Sequence, residues 1–174
     1  LSAGAIGVRN IMAVTGEDIR YGDHPQARTV NDLDLMDLLT VIRGMENGKD
    51  MAGVELRGTP RFCKGSAIDT AATGGLLEIE LENVRKMVEL GVDYVVTNPV
   101  FDLRRFQQFL KRMNKDRPGV IAKVLVLKSA GMARYIDRNV KGVHVPSEMI
   151  RRIHKAAEKR EECNGGRGNR KTSR

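Results

Sequence analysis

The chain has 174 residues, 41% of them hydrophobic and 30% charged, which is enough apolar content for one globular core and sets it apart from disordered and fibrous classes. No apolar run approaches the roughly 18 residues needed to span a bilayer, and the N-terminal residues do not read as a signal peptide, so a cytoplasmic protein with no membrane partner is expected. The net charge of +8 sits mainly in residues 151–174, which hold nine Lys or Arg against three Asp or Glu; the rest is near neutral, and without Trp or a basic stripe interleaved with aromatics a nucleic-acid partner is not expected.

In chain order, short β-rich apolar runs alternate four times with longer amphipathic stretches, a βα rhythm. The first residues, LSAGAIGVRN, read as the end of a helix running into a strand, Asn10 to Val14. A helix is expected from about Asn31, whose side chain can cap free backbone donors, with Leu35, Leu39, Ile42 and Met45 at helical spacing before Gly48. A glycine-punctuated surface connection leads to a second strand, Phe62 to Ala67. Leu77, Leu81, Val84 and Val88 mark the inner face of the next helix, which Gly91 terminates in a left-handed conformation.

Val92 to Thr97 is the third predicted strand, followed by a helix from about Asp102 that carries Phe106, Phe109, Leu110 and Met113. Ile121 to Leu127 is the fourth, a continuous apolar run that suits a parallel strand buried on both faces. A short helix through Met132 and Ile136, a Val143-His144-Val145 segment and a helix capped by Ser147 complete the ordered part. Residues 1–162 are expected to form one unit, and residues 163–174, aperiodic and basic, a disordered tail.

Two cysteines, Cys63 and Cys163, supply neither a disulfide framework nor a paired metal site. Cys63 reads as a small buried packing residue; Lys64 beside it could lower a thiol pKa, but no histidine lies near enough in sequence to serve as base.

Four parallel strands fit half of a closed (βα)8 barrel or a small doubly wound sheet. A whole barrel takes about 250 residues, so the chain accounts for about half of one, with two open sheet edges that recruit partners. In either architecture the chemistry lies at the C-terminal ends of the strands, in the loops TGEDIRYGDHPQ, GSAIDTAATGG, TNPVFD and LKSAGMA. Their polar groups are Thr15, Glu17 and Asp18; Ser66 and Asp69; Thr97, Asn98 and Asp102; Lys128 and Ser129. Asp18, Asp23 and His24 match no metal-ligand spacing, and the GDHP string reads as a turn, so no metal is expected. No GxSxG elbow, P-loop or GxGxxG is present.

The strings GVRNIMAVTGEDIRYGDHPQ, NDLDLMDLL, VRKMVELGVDYVVTNPVFDLRRF and VLVLKSAGMARY resemble, in order and spacing, the second half of the methylenetetrahydrofolate reductase family. The likeness covers roughly residues 4 to 160 and is similar to bacterial forms whose first loop reads TGD-D-x-x-x-GDHP. It implies an α/β fold, a partial TIM-type (βα)8 barrel with about four parallel βα units. It further implies a flavin, FAD or else FMN, reduced by NADH or NADPH and reducing 5,10-methylenetetrahydrofolate to 5-methyltetrahydrofolate.

Carried over position by position, the resemblance implies cofactor contacts at Thr15, Gly16, Glu17, Asp18, Val30, Ala67, Glu80, Asn83 and Lys86, and folate contacts at Glu17, Asn98 and Met132. Thr15-Gly16-Glu17 stands where the family commonly has Arg-Gly-Asp, so one cation is absent. Met87 replaces a second basic residue, and Met132 a glutamine. Ala67 and IDTAATGG replace a loop that elsewhere carries a Tyr and a His. Asn98 replaces a substrate glutamine; the residue type equally suits a strand-end Asn bonded to its own turn.

The family's general acid is a glutamate in the first half of the barrel and has no counterpart here, so the catalytic acid stays unassigned. Activity is expected only when the barrel is completed by an N-terminal half or by homo-oligomerisation. A second expectation is a non-catalytic fragment or subunit that binds a partner through its open sheet edges.

Overall fold

A computed structural model describes residues 1–16, 19–24, 26–113 and 117–168. A short helix α1 (Ser2–Ala5) leads into β1 (Asn10–Ala13), and a single 3-10 turn (Ile19–Tyr21) precedes α2 (Leu35–Glu46). Then come β2 (Cys63–Ile68), α3 (Gly75–Glu89), β3 (Tyr94–Thr97), α4 (Leu103–Arg112) and β4 (Gly119–Ile121). Helices α5 (Ala130–Asn139) and α6 (Ser147–Gly168) follow.

The four strands lie side by side in sequence order, every pair parallel. That order decides between the two architectures, because a doubly wound sheet reverses direction at a switch point whereas a barrel adds each strand to the same edge. The helices agree. Leu39 of α2, Leu81, Val84 and Met87 of α3 and Phe109 of α4 pack into one core with Ala13, Ile68 and Val95 of the strands. With right-handed crossovers the helices all cover one face.

The register sorts the strand residues by face. Ala13, Ser66 and Val95 stand in one row on the helix-covered side, with Ile68 beside Thr97 further along. On the opposite side Met12, Gly65, Tyr94 and Gly119 form one row, and Ala67, Val96 and Ile121 the next. This second face has no covering layer among the described residues: Met12 is 42% exposed and Ile121 53%. Parallel sheets are ordinarily covered on both sides, and in a barrel the inner face is covered by the remaining strands. The fold is therefore part of a TIM-type barrel, its inner wall open. At Gly65 a Cβ would lie 2.2–2.6 Å from the Tyr94 ring, so the missing side chain lets that ring lie across β2.

Several expectations change. The predicted cap Asn31 gives way to Asp34, whose Oδ1 accepts the Asp37 N–H at 2.8 Å while Asp37 Oδ2 accepts the Asp34 N–H at 3.2 Å. Two carboxylates satisfying each other's backbone donors hold that helix end better than a lone Asn three residues upstream. Met87, not counted on the inner face of α3, is fully part of the core at 2% exposure. Ser147 is the first residue of α6; the Pro146 carbonyl accepts the Met149 and Ile150 N–H groups.

The predicted fourth strand is the largest correction. Strand β4 ends at Ile121, and Val124 and Val126 are 82% and 75% exposed rather than buried on both faces. Beyond Ile121 the Thr97 hydroxyl takes over from the backbone ladder, accepting the Lys123 N–H at 3.1 Å, and the Val100 N–H donates to the Lys123 carbonyl at 3.0 Å. The chain thus follows the loop after β3, and the far side of β4 offers no described strand to extend against.

Cys63 is exposed rather than buried, because it opens β2 on the uncovered face opposite Asn10. Lys64 points the other way, as alternate strand residues must. The predicted tail is helical as far as Gly168. Residues 158–162 are strong helix formers that carry α6 up to this stretch; residues 169–174 lie outside the described residues. Among the described residues no helix is long and apolar enough to cross a membrane.

Candidate active site

A cleft of about 720 Å³ opens at the C-terminal ends of the strands. Its apolar wall comes from Met12, Val14 and Ala67, and its polar rim from Asp69, Glu80, Asn83, Asn98 and Lys123. An adjoining cleft of about 960 Å³ at the first loop shares Thr15 and Gly16 and adds Arg20, Arg28 and Val30. The location is the one a parallel barrel dictates, since its C-terminal face gathers the loops of successive units. Carrying the observed register past the strand ends brings Gly16, Asp69, Asn98 and Lys123 to one level, above the row of Ala67, Val96 and Ile121.

Asp69 builds the turn after β2: its Oδ1 accepts the Ala71 N–H at 2.8 Å, and its own N–H donates to Glu80 Oε1 at 2.8 Å. Glu80 therefore ties the first half of α3 to the strand end. Its pKa is raised, chiefly because burial penalises the charged carboxylate and also through the nearby Asp69 charge; the Asp69 N–H and the Asn83 side chain oppose the shift. A raised folded pKa means the native state holds its proton more tightly than the unfolded chain, so stability declines as pH rises above about 4.5. Glu80→Gln, which still offers an oxygen to the Asp69 N–H, should flatten that decline. Urea unfolding of both proteins from pH 4 to about pH 8 checks it, and parallel curves would show that Glu80 ionises freely.

Asn98 does not bond to its own turn. Its Nδ2 donates to the Gly142 carbonyl at 3.2 Å, tethering the end of β3 to the turn between α5 and α6, while the residue lines the cleft. Thr97, buried beside it, donates to the Asn98 carbonyl at 2.7 Å. Ser66 is buried and donates to the Ala13 carbonyl at 3.0 Å.

Among the remaining polar loop residues, two are helix caps. Asp102 accepts the Arg104 and Arg105 N–H groups, and Ser129 accepts that of Met132. Of the residues carried over from the resemblance, Thr15, Gly16, Ala67, Glu80, Asn83 and Asn98 come together around the main cleft, and Val30 lines the adjoining one. Lys86 is exposed on α3 away from the cleft lining. Met132 packs against Ala133, Ile136, Val143 and Val145 in a second small core. Glu17 and Asp18 lie outside the described residues.

Among the described residues no three His, Cys, Asp or Glu side chains are placed to hold a metal ion. Lys123, Met12 and Asp34 also line the cleft, and sequence reasoning had not singled them out. A lysine interrupting the apolar run VIA-K-VLVL was the available signal, since a charge inside such a run marks a place where the chain leaves the core.

No curated protein matches the chain. A family model described as methylenetetrahydrofolate reductase matches residues 2–167, which is nearly the whole length. With the barrel-type strand order and the cleft at its C-terminal face, the chain belongs to the methylenetetrahydrofolate reductase family.

Proposed function

We propose that this chain forms one half of the active site of a flavin-dependent methylenetetrahydrofolate reductase, with residues 1–162 as the barrel portion. Family membership suggests an oxidoreductase acting on folate in one-carbon metabolism. The observation that carries the finer reading is the joining of all four strand ends around one cleft with an apolar wall and a polar rim of carboxylates, amides and a lysine. Its volume falls in the range of about 300–1,000 Å³ usual for cofactor-sized ligands.

These residues fit a flavin. Ala67 keeps the wall flat where a larger side chain would fill it, and Glu80 and Asn83 present a carboxylate and an amide from α3 to the hydroxyls of a ribityl or ribose chain. Asn98 keeps its Oδ1 for a pterin edge while its Nδ2 is committed to Gly142. When bound, FAD would relay a hydride from NADH or NADPH to the methylene carbon of the folate. The chain's own contribution is to orient the two ring systems and exclude water from between them.

The test is to express the chain alone and together with a four-strand N-terminal half from a related reductase. Flavin absorbance and NADH oxidation should appear in the pair and be absent, or far weaker, in the chain alone. A correctly folded pair that takes up no flavin would overturn the reading. The uncovered inner face favours a second reading, a non-catalytic subunit that binds a partner there. A monodisperse monomer that joins neither an N-terminal half nor a second copy would remove it.

A further inference from the structure

Where the backbone ladder between β3 and β4 stops, one buried side chain takes its place. Thr97 ends β3 and is 1% exposed. Its hydroxyl donates to the Asn98 carbonyl at 2.7 Å and accepts the Lys123 N–H at 3.1 Å. Both partners line the cleft, whereas Thr97 itself does not. A buried hydroxyl is tolerated when it is hydrogen-bonded, and here both bonds go to the rim of the cleft. They join two strands at the point where these part, and ligands of parallel-sheet folds bind beyond that end of the strands. The β-branched side chain has few χ1 choices, so Oγ1 is fixed together with the backbone.

The consequence falls on Asn98. Its N–H donates to the Ile68 carbonyl at 3.2 Å, its carbonyl accepts from Thr97, and its Nδ2 donates to the Gly142 carbonyl at 3.2 Å. Oδ1 is the polar atom left to accept from an N–H of a ligand. We infer that Thr97 is a positioning residue for the folate: by pinning the Asn98 carbonyl and the Lys123 N–H it sets the separation of the two cleft lips and the direction of the Asn98 amide. The inference rests on the function proposed above. Thr97 acts through Asn98, since it has no place in the lining. A valine there would keep the shape and leave both backbone groups unpaired. The tie from the Val100 N–H to the Lys123 carbonyl at 3.0 Å would remain, so losing the hydroxyl loosens the amide without undoing the fold.

The experiment uses the flavin-loaded pair of halves. It measures steady-state turnover against 5,10-methylenetetrahydrofolate and, separately, reduction of the bound flavin by NADH. Thr97→Val should raise the folate KM about five- to tenfold, with kcat and flavin reduction unchanged within about twofold. Thr97→Ser, which keeps the hydroxyl, should restore the KM. In an Asn98→Ala background Thr97→Val should add little, because the amide through which it acts is gone. The inference fails if Thr97→Ser is as impaired as Thr97→Val, or if the effects at 97 and 98 are additive. It fails too if flavin reduction by NADH slows equally, or if the folate KM does not move. A Thr97→Val pair that no longer assembles also overturns it, since the hydroxyl would then serve the fold. If the unsubstituted pair binds no flavin or is not reoxidised by the folate, the proposed function itself falls; an active pair indifferent to Thr97 overturns this inference alone.

Discussion

Lys64→Met should destabilise the fold by about 3–5 kcal/mol, because it leaves the mostly buried Glu46 carboxylate, whose side chain is 11% exposed, without its partner. Lys64 is 6% exposed, and its ammonium donates to Glu46 at 2.5 Å and to the Leu90 carbonyl at 3.2 Å. Its backbone N–H donates to Asp93 Oδ2 at 2.7 Å, and Glu46 Oε1 also accepts the Phe62 N–H at 3.1 Å. One residue of β2 thus fastens the C-terminal ends of α2 and α3 beneath the sheet. Adding Glu46→Gln removes the stranded charge while keeping an acceptor for Phe62, and the double variant should regain about half of the loss or more. Urea unfolding measures both. A single-variant cost below about 1 kcal/mol would mean the carboxylate reaches water and the pair behaves as a surface one. Because this network lies at the N-terminal end of the strands, ligand affinity per folded molecule should not change.

Gly142→Ala should cost about 2–5 kcal/mol, from two separable causes. Gly142 has φ +70°, where a side chain is disfavoured by about 1–2 kcal/mol. Its new Cβ would stand 2.2 Å from Asn98 Nδ2 and 2.9 Å from Asp69 Oδ2, an overpacking that costs a further 1–3 kcal/mol or so. In an Asn98→Ala background the second contribution should shrink to the Asp69 contact at 2.9 Å, leaving about 1–2 kcal/mol from the backbone and a smaller steric remainder. Thermal or urea unfolding of the four proteins of that cycle supplies the numbers. Additive costs would show that Asn98 and the turn at Gly142 do not meet. Since Asn98 and Asp69 both belong to the cleft rim, Gly142→Ala should also weaken flavin or folate binding, although residue 142 is not among the cleft's lining residues.

Much of this architecture was legible in the sequence because local chemistry and burial agree there. The helix through Leu81 and Val84 and its stop at Gly91, which has φ +83°, follow from side-chain period and backbone freedom alone. The start of the next helix near Asp102 was legible as well. What escaped depended on partners remote in sequence. Nothing in the run Ile121–Leu127 says that Thr97 will intercept its ladder, and no local signal says that the Asn98 amide will reach a carbonyl 44 positions away. The cleft was legible only through resemblance to a family: α3 carries Glu80 and Asn83 on its cleft side, yet Lys86, at the same spacing, has turned toward solvent. Met132, assigned to folate by position, serves packing, because α5 uses its apolar side to meet α6.

The pairing of Gly65 with Tyr94 limits how the sequence can change over evolutionary time. The ring of residue 94 occupies the volume that a side chain at residue 65 would claim, so a larger residue at 65 requires that ring to move or to shrink. A lineage that replaces the glycine must re-site the tyrosine ring or shrink it. Homologues should therefore show correlated replacement at these two sites, a small residue at one wherever the other is aromatic.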